Sequence, residues 1–98
     1  MSTRVLLTLR TDDGHRDDLL AFLRSVLPST RTSNGCERVF LCQSGDDPTV
    51  FLVDQQWTSK DSYLQYSRWR RDRGDLAPFA TLLIAPPVIE FHAQLDAW

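Results

Sequence analysis

The stretch Cys36–Trp57, C-E-R-V-F-L-C-Q-S-G-D-D-P-T-V-F-L-V-D-Q-Q-W, decides how this chain folds. Its two ends are β-rich, and between them stands the turn-forming cluster Ser44-Gly45-Asp46-Asp47-Pro48. Small polar side chains bond the local backbone there, Gly relaxes it, and Pro withholds a ladder donor. The two ends therefore read as strands, Cys36–Gln43 and Val50–Trp57, of one hairpin. Downstream the period changes: Thr58 or Ser59 caps a helix running to about Asp72, and Gly74 ends it. Upstream, Arg4–Arg10 is another β-rich run, and Thr11–Gly14 supplies a turn and a cap. Leu19, Leu20, Phe22, Leu23, Val26 and Leu27 then recur at helical spacing from about His15, and Pro28 is expected to stop that helix, leaving Ser29–Gly35 as loop. Leu76–Ala85 reads as a short third helix before Pro86-Pro87, and Val88–Gln94 as the last strand. The order β-α-β-β-α-α-β predicts an α+β, ferredoxin-like split βαβ domain over residues 1–98, a four-stranded antiparallel sheet with helices on one face.

Strand patterning adds a further expectation. Val5, Leu7 and Leu9 share one face of the first strand, yet Leu6 lies on the other, and Leu52 opposes Val53 on the third. Both faces of the sheet call for cover, and one layer of helices covers only one. Two copies packed sheet to sheet, a dimeric α+β barrel, would solve this, so a homodimer is expected.

Composition narrows the function classes. The 98 residues are 42% hydrophobic and 24% charged, ordinary for a globular domain, and the net charge is −2. A general nucleic-acid or anionic-membrane binder carries the opposite sign, so neither partner is expected. No apolar run approaches the roughly 20 residues of a membrane span, and the N-terminus lacks a signal peptide's apolar centre, so a cytoplasmic location is expected. Cys36 and Cys42 lie on one strand at about 20 Å by strand rise, beyond disulfide reach, and read as small buried hydrophobes. His15 and His92 stand apart from any cysteine or carboxylate at ligand spacing, so no metal site is expected. GxGxxG, GxxxxGK[ST] and GxSxG are all missing from the chain.

Asn34–Tyr63 carries a resemblance: Gly35-Cys36 followed by Arg38, the Asp46-Asp47-Pro48 turn, and Trp57-Thr58-Ser59-Lys60 leading into a helix, with Pro86-Pro87 before an apolar strand near the end. The chain resembles the antibiotic biosynthesis monooxygenase (ABM) domain family. The resemblance implies a dimeric α+β barrel with a pocket in each protomer. It also implies cofactor-free oxidation of an anthrone- or hydroquinone-like ring to a quinone by molecular oxygen, in aromatic polyketide or antibiotic biosynthesis. An electron-rich phenolate can itself reduce oxygen, so the protein need only bind it, favour its deprotonated form and shield the radical pair. Two other readings stay open, a polyketide cyclase on the same scaffold and a non-catalytic ligand-binding module partnering a larger oxygenase.

By the same resemblance, Trp57 and Tyr63 are the pair that hydrogen-bonds the substrate oxygens; alternatively Trp57 only wedges strand against helix. Tyr66 and Trp69, three and six residues after Tyr63, are expected on a shared helix face as pocket wall. Phe40 and Val53 are the wall residues expected from the strands. Within the cluster Arg68, Arg70, Arg71 and Arg73, the inward candidates are Arg70, as stabiliser of a phenolate, and Arg71 beside it. His92, on the last strand, is the candidate base. Gln55 and Gln56 stand where family members place glutamates, and their amides can bond but not remove a proton. Val53 replaces the asparagine of quinone-forming members. The haem-degrading branch of the fold uses a first-strand asparagine and a helix histidine, and neither residue is present at those places.

Overall fold

Alternation in the strands sorts the side chains into two faces, and one of these faces organises the molecule. The computed structural model describes residues 1–97. Its elements are β1 (Thr3–Arg10), α1 (Arg16–Arg31), β2 (Cys36–Gln43), β3 (Val50–Trp57), α2 (Lys60–Asp72), α3 (Leu76–Ala80) and β4 (Val88–Ala93). The sheet order is β2-β3-β1-β4, with every neighbouring pair antiparallel. This is the expected α+β ferredoxin-like arrangement.

Register fixes what each face carries. Val5 pairs with Gln55 and Phe91, Leu7 with Val53 and Ile89, and Leu9 with Phe51. These residues form the inner face. Val5, Leu9, Phe51 and Val53 are almost wholly buried there, together with Leu19, Leu23 and Leu27 of α1. Full burial of each such side chain contributes about 1.5–3 kcal/mol, so the α1-on-sheet contact is the main source of stability. The outer face holds Arg4, Leu6 and Thr8, flanked by Leu52 and Asp54 on β3, Phe40 and Cys42 on β2, and Glu90 and His92 on β4. Arg4 pairs with Asp54 across it, while Phe40 and Cys42 are exposed.

Three boundaries differ from the sequence reading. Helix α1 does not stop at Pro28 but runs to Arg31 with Pro28 inside it. Pro28 sits on the exposed side, where its missing N–H and its ring are least costly, and the turn beyond it is held from outside: Thr30 is buried and its hydroxyl meets the Tyr66 hydroxyl. Helix α3 ends at Ala80, because the residues after it are tied to the end of β1: the Ile84 N–H donates to the Arg10 carbonyl at 3.0 Å, and Thr11 Oγ1 donates to the Leu82 carbonyl. The cap before α1 is also indirect. His15 occupies the N-cap without a side-chain bond to the helix; its ring Nδ1 and its own N–H both meet Asp12 Oδ1, each at 2.9 Å. Elsewhere the signals hold: Ser59 accepts from the Ser62 N–H at 3.1 Å at the start of α2, and Gly74 follows that helix with φ 80°. In the hairpin, Ser44 Oγ accepts from the N–H groups of Asp46 and Asp47, both at 3.2 Å.

The cysteines also depart from expectation. Both are free, Cys36 half-buried and Cys42 exposed on the outer face, so only Cys36 behaves as a packing residue. Burial pushes the Cys36 thiol pKa up, which keeps it protonated and unreactive.

Candidate functional site

Between the inner sheet face and the helices lies a cavity of about 150 Å³, room for on the order of ten waters. Leu7, Val53 and Ile89 form its sheet wall, and Phe22, Leu23, Val26 and Leu27 its α1 wall. Ile89 and Leu76, respectively 44% and 39% exposed, and Pro87 also line it, so it opens at the β4 edge beside α3. The polar groups gather at the α2 side: Gln55, Tyr63, Tyr66, Arg70, Thr30 and Asp75.

Helical phase explains which α2 residues arrive. At about 100° per residue, a position seven after Tyr63 returns to the same face, one three after stays close, and one six after swings well away. Tyr63 and Arg70 are buried and Tyr66 half-buried, all lining the cavity. Trp69, six after Tyr63, is 43% exposed and leaves the expected shared face; it stacks beside Arg70 and Arg73 instead. Arg71 points into solvent with the rest of the basic cluster and is not part of the lining.

Arg70 is the hub of the polar end. Its Nε–H donates to the Tyr66 hydroxyl at 2.8 Å, Nη1 to Asp75 Oδ2 at 3.1 Å, and Nη2 to the Val26 carbonyl at 2.7 Å and to Ser29 Oγ. One guanidinium thus joins α2 to the last turns of α1 and to the residue before α3. Burial works against its charge, but the Tyr66 hydroxyl and the Asp75 carboxylate outweigh it and hold the pKa above its already high value. It is a permanent cation beside an apolar cavity, where a charge acts through a low local dielectric. Tyr63 is the neutral counterpart. Burial, with Tyr66 next to it, raises its phenol pKa, and a hydrogen bond with Ser67 offsets part of the rise, so the hydroxyl keeps its proton at neutral pH.

Trp57 is placed differently from its expected role. It is wholly buried, edge-on to the Tyr63 ring at 5.6 Å between centroids and tilted on Tyr66 at 5.2 Å, and it does not line the cavity. Its indole N–H donates to Gln55 Oε1 at 3.0 Å, so it has no donor left for a substrate. Val53 takes the wall position expected of it. Phe40 and His92 do not. Strand parity sets them on the outer face, paired through the register with Asp54 and Arg4, and His92 faces Glu90 at 3.8 Å. His92 cannot serve as a base for a ligand in this cavity. The residues missed in the sequence are Thr30, hidden by the Pro28 stop signal, and Asp75, separated from Arg70 by a helix end. Gln55 carried a signal, its alternation with Val53 and Trp57 on one strand face. Among the described residues no three His, Cys, Asp or Glu side chains converge as a metal-binding group would require.

A four-stranded sheet, with helices on one face and a cavity between the layers, defines a small α+β domain of the ferredoxin-like class. The family model described as antibiotic biosynthesis monooxygenase matches residues 3–70, most of the chain, and the protein belongs to that family. Similar solved structures agree in fold. One, a Nitrosomonas europaea protein provisionally named an antibiotic biosynthesis monooxygenase, superposes with TM-score 0.88 at 14% identity, covering 96% of this chain and 90% of that one. A Mycobacterium tuberculosis protein gives 0.86 at 21% identity, with 99% and 98% covered. A second Nitrosomonas europaea protein, described as of unknown function, gives 0.84 at 26% identity, with 99% and 92% covered. No curated protein matches the chain at a significant level. No helix among the described residues is long and apolar enough to cross a membrane.

Proposed function

We propose that this protein is a cofactor-independent monooxygenase that oxidises a polycyclic phenolic, anthrone-like ring to a quinone with molecular oxygen, in an aromatic polyketide or antibiotic pathway. The observation that carries the reading is the pairing of an apolar cavity with a buried, permanent Arg70 cation at one end and a neutral Tyr63 hydroxyl beside it. A flat ring fills the apolar part, and negative charge developing on its oxygen is stabilised at the α2 end. The anion passes one electron to oxygen, and the radical pair recombines at the ring carbon inside a cavity that excludes most water. One oxygen atom stays as the new carbonyl, while the other leaves as water with the two hydrogens of the ring methylene. Arginine cannot take the substrate proton. Its part is to lower the cost of the anion.

The reading includes a homodimer joined through the outer sheet face, whose exposed Phe40 and Val88 and half-buried Leu6 and Leu52 form an uncovered apolar surface. A cytoplasmic location belongs to the same proposal. A second reading, a binding module without turnover, draws support from Trp57, whose N–H is spent inside the protein.

Aerobic incubation with anthrone separates them. The oxygenase consumes oxygen and forms anthraquinone faster than buffer, and Tyr63→Phe slows it by about ten- to a hundredfold. Tight ring binding with no oxygen uptake supports the binding module. Sedimentation at micromolar concentration gives the mass of two chains if the outer faces pair.

A further inference from the structure

Most polar groups of the cavity are already committed to one another. Tyr66 accepts from Arg70 and meets the Thr30 hydroxyl, and Arg70 is bound to Asp75 and to α1. Gln55 keeps a donor uncommitted. It is 3% exposed and lines the cavity, and among the described residues no hydrogen bond engages its Nε2. Its orientation is chemically determined, because an indole N–H only donates and the amide atom facing Trp57 must be the oxygen. The amide NH2 is therefore the end turned away from Trp57. The two side chains are two residues apart on one strand face, so the pair is rigid at its base.

We propose that Gln55, locked by Trp57, is the specificity-determining residue of the cavity, and that it selects ligands presenting a ring ketone or phenolate oxygen as a hydrogen-bond acceptor. Gln55 is the residue that touches the ligand; Trp57 is the positioning residue. In the free protein the amide NH2 is reached by water through the cavity, and a ligand that fills the cavity displaces that water. An acceptor oxygen on the ligand replaces the lost bond, whereas a hydrocarbon of the same shape leaves the donor unpaired. The inference rests on the ring-binding cavity of the proposed function and adds to it which chemical group is recognised and by which atom.

The test uses two flat tricyclic probes that differ by one acceptor oxygen, 9-fluorenone and fluorene. Binding is followed by titration, and the ratio of the two affinities in wild type is divided by the same ratio in Gln55→Met. A quotient of about five to ten is expected from one buried hydrogen bond. Trp57→Phe frees the amide to turn and brings the quotient down by about two- to threefold while fluorene still binds. In 15N-labelled wild type, the Gln55 side-chain NH2 resonances move on saturation with fluorenone and stay in place with fluorene. A quotient near one, or an unmoved Gln55 amide, overturns the assignment while leaving the cavity a ring-binding site. Failure of both probes to bind wild type overturns the ring-binding reading and the assignment with it.

Discussion

Replacing Arg70 with methionine keeps a long, flexible, apolar-bodied side chain and removes the guanidinium. In the wild type that group donates to the Tyr66 hydroxyl, the Asp75 carboxylate, the Val26 carbonyl and Ser29 Oγ. Charge-assisted hydrogen bonds contribute about 1.5–3 kcal/mol each, but bonds sharing one hub are far from additive. The Asp75 carboxylate is 23% exposed, so water recovers part of the loss on that side. The net expectation is a loss of about 3 kcal/mol, or a fall of about 15 °C in the melting temperature of a domain this size. Urea titration and thermal melting by circular dichroism both read it. Because the guanidinium stays charged throughout, the loss should be the same at pH 6 and pH 9. Arg70→Lys, which keeps the charge but loses the fork, should recover about half. A loss below about 1 kcal/mol for Arg70→Met would refute the claim that this residue clamps α2 to α1.

Pro28→Ala restores the N–H inside α1 and should stabilise the protein by about 1–2 kcal/mol, part of the helical gain being offset by a freer unfolded chain; destabilisation in urea would mean that the proline itself aims Thr30. Gly35→Ala meets both a φ of 88° and the Ser62 Cβ and Oγ at 2.6 Å from the new methyl. It should cost about 2–4 kcal/mol, and Ser62→Gly in the same chain should return part of that by removing the overlap but not the backbone strain. The raised Tyr63 phenol pKa means that the folded state holds its proton where the unfolded chain has released it. Stability should therefore fall as pH rises from about 10 toward the folded value, and Tyr63→Phe should flatten that alkaline limb in melting experiments.

The strands were legible because alternation and turn chemistry coincide in Cys36–Trp57, where Ser44 and Asp47 bond the hairpin turn as their types suggest. The end of α1 was not legible, since Pro28 is a stop signal only if nothing beyond it is anchored, and the anchors, Tyr66 and Arg70, lie far along the chain. Side-chain placement followed the same division. Helical phase is a local property, so Tyr63, Tyr66 and Arg70 could be named, although the aromatic stripe drew Trp69 in with them. Strand parity becomes visible only through the partner strands when both faces are apolar, and Phe40 and His92 fell on the wrong side for that reason. The bond between Trp57 and Gln55 had no separate signal, because adjacency on a strand face does not say which way an amide is turned.

Arg70 braces the helices and also polarises the cavity end, which bears on how such a protein can be retargeted. Substitutions there would trade away rigidity along with chemistry. Leu7 and Ile89 offer a safer route, since neither is fully buried and the strands that bear them are zipped through main-chain bonds. New ligand shapes are most cheaply accommodated from the floor of this chamber, leaving its electrostatic end untouched.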